Sequence, residues 1–283
     1  MQPLRLLSVH AHPDDEASKG AATVAKYVSE GIDVMIATCT GGERGDVLNP
    51  KLKNEEVKEK LAEIRKKEMA KSIEILGAKH TWLGFIDSGY PEGDPKLALP
   101  EGCFADISIE EAAKPLIKLI REFKPQVVIT YDENGGYPHP DHIRTHEITM
   151  FAYEHSGRRN DFPELGEPWQ IYKVYYQKGF NFSQMMAIDN AFKELEKTNP
   201  YAEWMVDMED DSDLITTKID CAKYFEKRDE ALKAHATQVD PEGDWFALPT
   251  EIIKKIWPTE DYQLAISRVA VETPETDLFQ GLR

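Results

Sequence analysis

Residues 9–16 read VHAHPDDE, and the assignment of the fold turns on them. The apolar run before them, residues 4–9, has the composition of a buried strand. Pro13 fixes its own φ and ends that strand, so the residues after it turn away from the sheet. Asp14, Asp15 and Glu16 are three adjacent carboxylates, and like charges need water or a cation to keep them together. His12 favours the cation, because imidazole with carboxylate suits a borderline ion such as zinc. The turn can bring His12 and Asp15 to one point while Asp14 faces a neighbouring position.

Working outward, residues 19–28 carry small and apolar side chains at helical spacing, closed by Gly31, and residues 32–38 are strand-like. The loop that follows, CTGGERG, lacks the spacings of phosphate-binding loops. Residues 55–76 form one long amphipathic helix stopped by Gly77. Arg65 and Glu68 lie one turn apart on it, the pattern of a surface ion pair. A short strand over 81–86 delivers Asp87 to a loop, and residues 90–106 form a long connection. A helix over 108–123 and a strand over 126–131 lead into TYDENGGYPHPDHIRTHE. Its glycines and prolines preclude regular structure until a helix starts near Asp141 and runs to Tyr153.

His139, His142 and His146 fall within eight residues at a strand exit, opposite the first motif in a parallel sheet. His12, Asp15 and His142 would give a cation two imidazoles and one carboxylate, the donor count of catalytic zinc sites, leaving a centre that acidifies water. His146 lies one turn from His142 and competes for the same place. Asp14 can act as general base. His139 can stabilise an oxyanion or protonate a leaving amine, and Asp141 can orient His139 or a ligand. His10, further inside the sheet, reads as structural.

A strand over 171–180 follows, and the remainder reads as helices with polar loops, ending in a loosely ordered tail after Val271. In RDEALKAHATQ, Arg228 and His235 share one helix face. The expected architecture is α/β: a Rossmann-like, mostly parallel sheet flanked by helices, with a smaller, mainly helical C-terminal part. The catalytic domain is expected over 1–180, with 181–283 packing on it and shaping the substrate pocket.

The formal charge of −17, from 51 acids and 34 bases, disfavours nucleic acid and anionic membrane as partners. The apolar runs are too short for a membrane span and the first residues lack signal-peptide organisation, so the expected location is the cytoplasm. Cys39, Cys103 and Cys221 are odd in number, widely spaced and fit reduced thiols. The partly apolar C-terminal half gives a homo-oligomer a surface on which to form.

Ala11–Glu16 together with His139–His142 resembles the PIG-L/LmbE-like family of zinc-dependent N-deacetylases and amidases. TGGERGDVLNP, TWLGFIDSGYPEGD and RDEALKAHATQVDP extend the resemblance over most of the chain, toward the branch that cleaves mycothiol S-conjugates. The resemblance implies metal ligation by His12, Asp15 and His142 with zinc as the ion, and ferrous iron suits the same two histidines and one carboxylate. It also implies Asp14 as general base, His139 as transition-state stabiliser and Tyr137 as a mobile group near the scissile carbonyl. It places Arg65 and Asp87 against the sugar–inositol portion of a small-molecule substrate, and Lys19 is similar to the amidases rather than the deacetylases.

Overall fold

The computed structural model describes residues 3–94 and 96–283. Residues 1 and 2, at the start of the expected catalytic domain, and Pro95, in the expected 90–106 connection, lie outside them. The strands are β1 (Arg5–His10), β2 (Asp33–Thr40), β3 (Lys79–Phe85), β4 (Val127–Thr130), β5 (Lys173–Gln177), β6 (Thr217–Asp220) and β7 (Thr259–Ser267). They form one seven-stranded sheet in the order β3-β2-β1-β4-β5-β7-β6. The first five run parallel, with Leu6 of β1 opposite Val34 of β2 and Val127 of β4. Strand β7 is antiparallel to both β5 and β6.

The helices are α1 (Asp15–Ser18), α2 (Ala21–Ser29), α3 (Glu55–Glu59), α4 (Leu61–Leu76), α5 (Ile109–Phe123), α6 (Pro140–His155), α7 (Phe182–Glu194), α8 (Phe225–Ala234) and α9 (Thr250–Ile256). Because side chains alternate along a strand, β1 serves two cores. Leu6 packs with Val24 of α2, Met69 of α4 and Leu232 of α8, whereas Leu7 and Val9 pack with Leu116 of α5 and Ile148 of α6. Local chemistry sets several boundaries. The Asn54 side chain accepts from the Val57 N–H at 3.0 Å and starts α3. The helix expected over 55–76 is broken at Lys60, which leaves helical geometry at φ −103°, and Gly77 closes α4 at φ 73°.

Two expectations for the C-terminal part need correction. Residues 181–283 contain α7–α9 but also β6 and β7, which extend the sheet beyond β5. Strand β6 is four residues long and alternates Thr217 and Ile219 inward with Lys218 and Asp220 outward, too short a pattern to stand out. The tail after Val271 is not loosely ordered: Leu278 and Phe279 are fully buried in the first core. Glu275 is fully buried too, and accepts from Lys173 Nζ at 2.5 Å, Tyr175 Oη at 2.8 Å and Thr217 Oγ1 at 3.2 Å. It is the counter-charge for a lysine in the middle of the sheet. Glu275→Ala would strand that buried ammonium, and we expect it to cost about 3–5 kcal/mol of stability in denaturant unfolding.

Candidate active site

Strand order reverses at β1 and β4: from β1 the chain proceeds to β2 and β3 on one side, and β4 and β5 follow on the other. At such a switch point the carboxyl ends of neighbouring strands diverge into a crevice. The turn after β1 and the loop after β4 both empty into it, which is why residues 12–15 and 137–142 meet.

Asp14 adopts φ 101°, a left-handed conformation that is strained for a residue other than glycine. A buried network holds it there. The Asp14 N–H donates to Glu16 Oε2 at 3.0 Å, and Glu16 Oε1 lies 2.6 Å from both Ser72 Oγ and His235 Nε2. Burial alone would raise the Glu16 carboxyl, but His235 and Ser72 outweigh it and hold Glu16 at about 2. The same turn lets the His12 N–H donate to Asp15 Oδ2 at 2.9 Å.

His12 Nδ1 lies 3.7 Å and His142 Nε2 3.4 Å from Asp15 Oδ2, and ligand atoms of the three residues fall within 4.8 Å of one another. Each ring is oriented from behind. His142 Nδ1 pairs with the Gly135 carbonyl at 2.9 Å, so it carries the proton and leaves Nε2 as a bare lone pair. That atom is fully buried and has no partner among the described residues. Burial lowers His142 to about 3, which keeps the ring neutral. The Tyr131 ring stacks on it at 4.4 Å. His12 Nε2 faces Asp141 Oδ2 at 3.2 Å, the carboxylate–histidine arrangement that supports metal-binding imidazoles. Burial pushes His12 down, yet Asp141, Asp87 and Asp15 carry it up to about 10, so the crevice attracts positive charge. An orphaned imidazole nitrogen, a second imidazole and a carboxylate fit a divalent ion with mixed nitrogen and oxygen ligands.

His146 turns elsewhere, its Nδ1 3.0 Å from the Tyr131 carbonyl. His139 caps α6: its Nδ1 accepts from the Asp141 N–H at 3.1 Å, with Pro140 in the first helical position. The hydrogen of a neutral His139 therefore sits on Nε2, and burial together with nearby His12 lowers the ring to about 4. Asp141 thus orients both His139, through its backbone, and His12, through its carboxylate. Tyr137 is 45% exposed, its ring 4.5 Å from that of His142 and 6.0 Å from that of His139. His12 and His139 also converge with Asp87 within 4.8 Å. Burial acts to raise Asp87, but His12 and the Gly89 N–H hold it well below the usual carboxylate range.

Arg65 is not half of a surface pair with Glu68. Both are buried, and the Glu68 carboxylate accepts from the Thr237 N–H and hydroxyl at 2.8 and 2.7 Å. Arg65 Nη2 reaches the Pro13 carbonyl at 2.5 Å and Asp14 Oδ2 at 3.2 Å. Its Nη1 donates to the Gly42 carbonyl at 3.2 Å, an approach that a Cβ at residue 42 would block. Lys19 Nζ donates to Asp15 Oδ1 at 2.6 Å, occupying the oxygen turned away from His142. Arg228 pairs with Asp229 at 2.8 Å, while His235 lies just past the end of α8 and joins Glu16 instead. His10 is buried against Ser8 at 2.8 Å, as a structural residue would be. Sequence reasoning misses the support given to Asp14 by Glu16 and His235 and to His142 by Tyr131. The first is a contact across 219 residues, and no local spacing announces it.

Residues 7–153 match the profile of the family described as PIG-L, GlcNAc-PI de-N-acetylase, a span that holds His12, Asp14, Asp15, Arg65, Asp87, Tyr137, His139, Asp141 and His142 but not His235. The chain belongs to the PIG-L family. Within this family it is 54% identical to mycothiol S-conjugate amidase of Streptomyces coelicolor over 286 residues, covering 99% of this chain and 98% of the relative. It is 38% identical to the 1D-myo-inositol 2-acetamido-2-deoxy-alpha-D-glucopyranoside deacetylase of Streptomyces avermitilis, covering 98% and 97%. Among solved structures, N,N'-diacetylchitobiose deacetylase from Pyrococcus horikoshii superposes with a TM-score of 0.62 at 20% identity, over 92% of this chain and 83% of that one. A zinc-inhibited form of teicoplanin deacetylase gives 0.54 at 17% identity, over 92% and 97%. These two likenesses bear on the fold. Among the described residues, no helix is long and apolar enough to cross a membrane.

Proposed function

We propose that this PIG-L chain is a metal-dependent amidase that cleaves mycothiol S-conjugates, releasing an N-acetylcysteine S-conjugate and glucosaminyl-inositol. The convergence of the bare His142 Nε2 with His12 and Asp15, and Asp14 beside them, carries the chemistry. The 54% identity to the Streptomyces coelicolor amidase supports the substrate. His12, Asp15 and His142 would hold the ion, zinc or ferrous iron by ligand type. When bound, such an ion polarises the amide carbonyl and acidifies water.

The side chains do the rest. Burial raises the Asp14 carboxyl while Arg65 pulls it down, which tunes a carboxylate to accept a proton from water. His139 donates from Nε2 to the developing oxyanion, with Tyr137 at the open side. Protonated Asp14 then delivers its proton to the departing amine. Arg65 and Asp87 lie on the β2–β3 side of the ion site, where we place the sugar–inositol portion. Residues 1–180 would supply the catalytic crevice and 181–283 a wall of the substrate pocket. The three buried free cysteines support a reducing, cytoplasmic setting.

Rates on a bimane-labelled mycothiol conjugate and on N-acetylglucosaminyl-inositol, measured side by side, test the proposal. Relatives named as deacetylases at 38–40% identity favour the acetylated sugar as the second reading. A higher kcat/KM on that sugar would replace the first reading with it.

A pH profile tests the role of Arg65. Its guanidinium favours ionised Asp14, so Arg65→Met should raise the Asp14 pKa further. A base must be deprotonated to work, and the acidic limb of kcat/KM should therefore move to higher pH. An unmoved limb would confine Arg65 to holding the turn.

A further inference from the structure

A second cavity opens on the other side of Lys19. It measures about 120 Å³ and lies where the ends of β5 and β7 meet the C-terminal helices. Its wall is apolar: Phe180 after β5, Ile188 and Phe192 of α7, and Trp245 and Leu248 further along the chain. Phe180 is held at φ 57°, strained for an aromatic residue, and its ring meets that of Trp245 edge-on at 5.4 Å. The charge of Arg228 at the rim is met by Asp229.

The end nearest Lys19 is polar and unfinished. Gln177 and Tyr262 both line the cavity and are more than nine-tenths buried, and the Gln177 Oε1 and Tyr262 Oη atoms have no partner among the described residues. Gln177 Nε2 is already engaged, donating to the Lys19 carbonyl at 2.7 Å. Gly20, at φ 89°, lets the backbone run close against both side chains, since a Cβ there would lie 2.9 Å from Gln177 Nε2 and 3.1 Å from Tyr262 Oη. An unpaired acceptor and an unpaired hydroxyl are a complement for one secondary amide.

Position gives the cavity its meaning. Arg65 and Asp87 reach the ion site from the β2–β3 side, whereas Lys19, Gln177 and Tyr262 belong to the β5–β7 side. An amide cleaved between these sides sends its amine portion one way and its acyl portion the other. Resting on the amidase reading, we propose that this cavity is the subsite for the acyl half. Gln177 and Tyr262 take the acetamido group of the N-acetylcysteine, and the apolar wall takes the substituent on sulfur. The volume is on the scale of a cavity that holds a benzene-sized ring. Trp245 is 40% exposed at the mouth, so larger aromatic groups can extend past it.

The test uses conjugates of mycothiol bearing either bimane or methyl on sulfur, with the full-length, metal-loaded protein. Ile188→Trp fills the cavity and Trp245→Ala removes a wall. Each should lower the ratio of kcat/KM for the bimane conjugate to that for the methyl conjugate by about tenfold, the scale of a lost apolar contact. For Trp245→Ala the change should lie mainly in KM. Should Ile188→Trp fail to fold, Trp245→Ala decides alone, because its half-exposed side chain can be removed with little disturbance. Equal losses on both conjugates, or no change on either, would remove the sulfur substituent from this cavity while leaving the amidase reading intact. A wild-type protein inactive on both conjugates would overturn the amidase reading itself, and the subsite with it.

Discussion

Asp14→Asn is expected to lower kcat by about 10²–10⁴-fold in metal-replete protein, the contribution usual for a positioned general base. Asparagine keeps the size of the side chain, can still accept from Arg65, and tolerates the left-handed backbone at φ 101°. The turn should therefore survive, and with it the approach of His12 and Asp15. What is lost is the ability to take a proton. Steady-state kinetics with metal analysis on the same sample separates the two effects: turnover should collapse while bound metal stays at the wild-type level. Near-normal turnover would transfer the base role to another group. Parallel loss of metal would make Asp14 part of the ligand set.

His142→Ala should do the opposite and empty the site first. Disturbing a residue behind a metal ligand typically weakens binding by about 10–100-fold, and removing a ligand should exceed that. His142 Nε2 is buried, bare and 3.4 Å from Asp15 Oδ2, and no hydrogen bond among the described residues engages it. After dialysis, elemental analysis should find little metal in this variant. His146→Ala, whose ring bonds the Tyr131 carbonyl, should retain it. The reverse pattern would exchange the roles of the two histidines.

Much of this centre is legible in sequence because its parts are locally encoded. Pro13 lies in the turn between β1 and α1 and Pro140 starts α6, so each motif carries its own backbone instructions along with its ligands. The parallel strands announce themselves as short apolar runs, and a parallel sheet brings their carboxyl ends together. What stays hidden depends on distant partners. Nothing near Arg65 says that it will turn inward to Pro13 and Asp14, since charged residues at helical spacing look alike whether they meet water or a carbonyl. His235 looks like one more helical histidine until Glu16 is brought against it. Strand β7 opens with Thr259, Glu260 and Asp261, a poor advertisement for a strand; the carboxylate of Glu260 accepts from the N–H groups of Ala22 and Thr23 at the start of α2.

The pairing of Lys173 with Glu275 has a consequence for biosynthesis. The two are 102 positions apart, and a ribosome delivers the lysine long before the glutamate. Until then β5 carries a cation without its counter-charge, which is costly to bury. Docking of β5 before residue 275 is made would leave that ammonium unpaired, so a polypeptide cut short of the glutamate should hold its sheet less firmly by about 3–5 kcal/mol, whatever the integrity of its catalytic motifs.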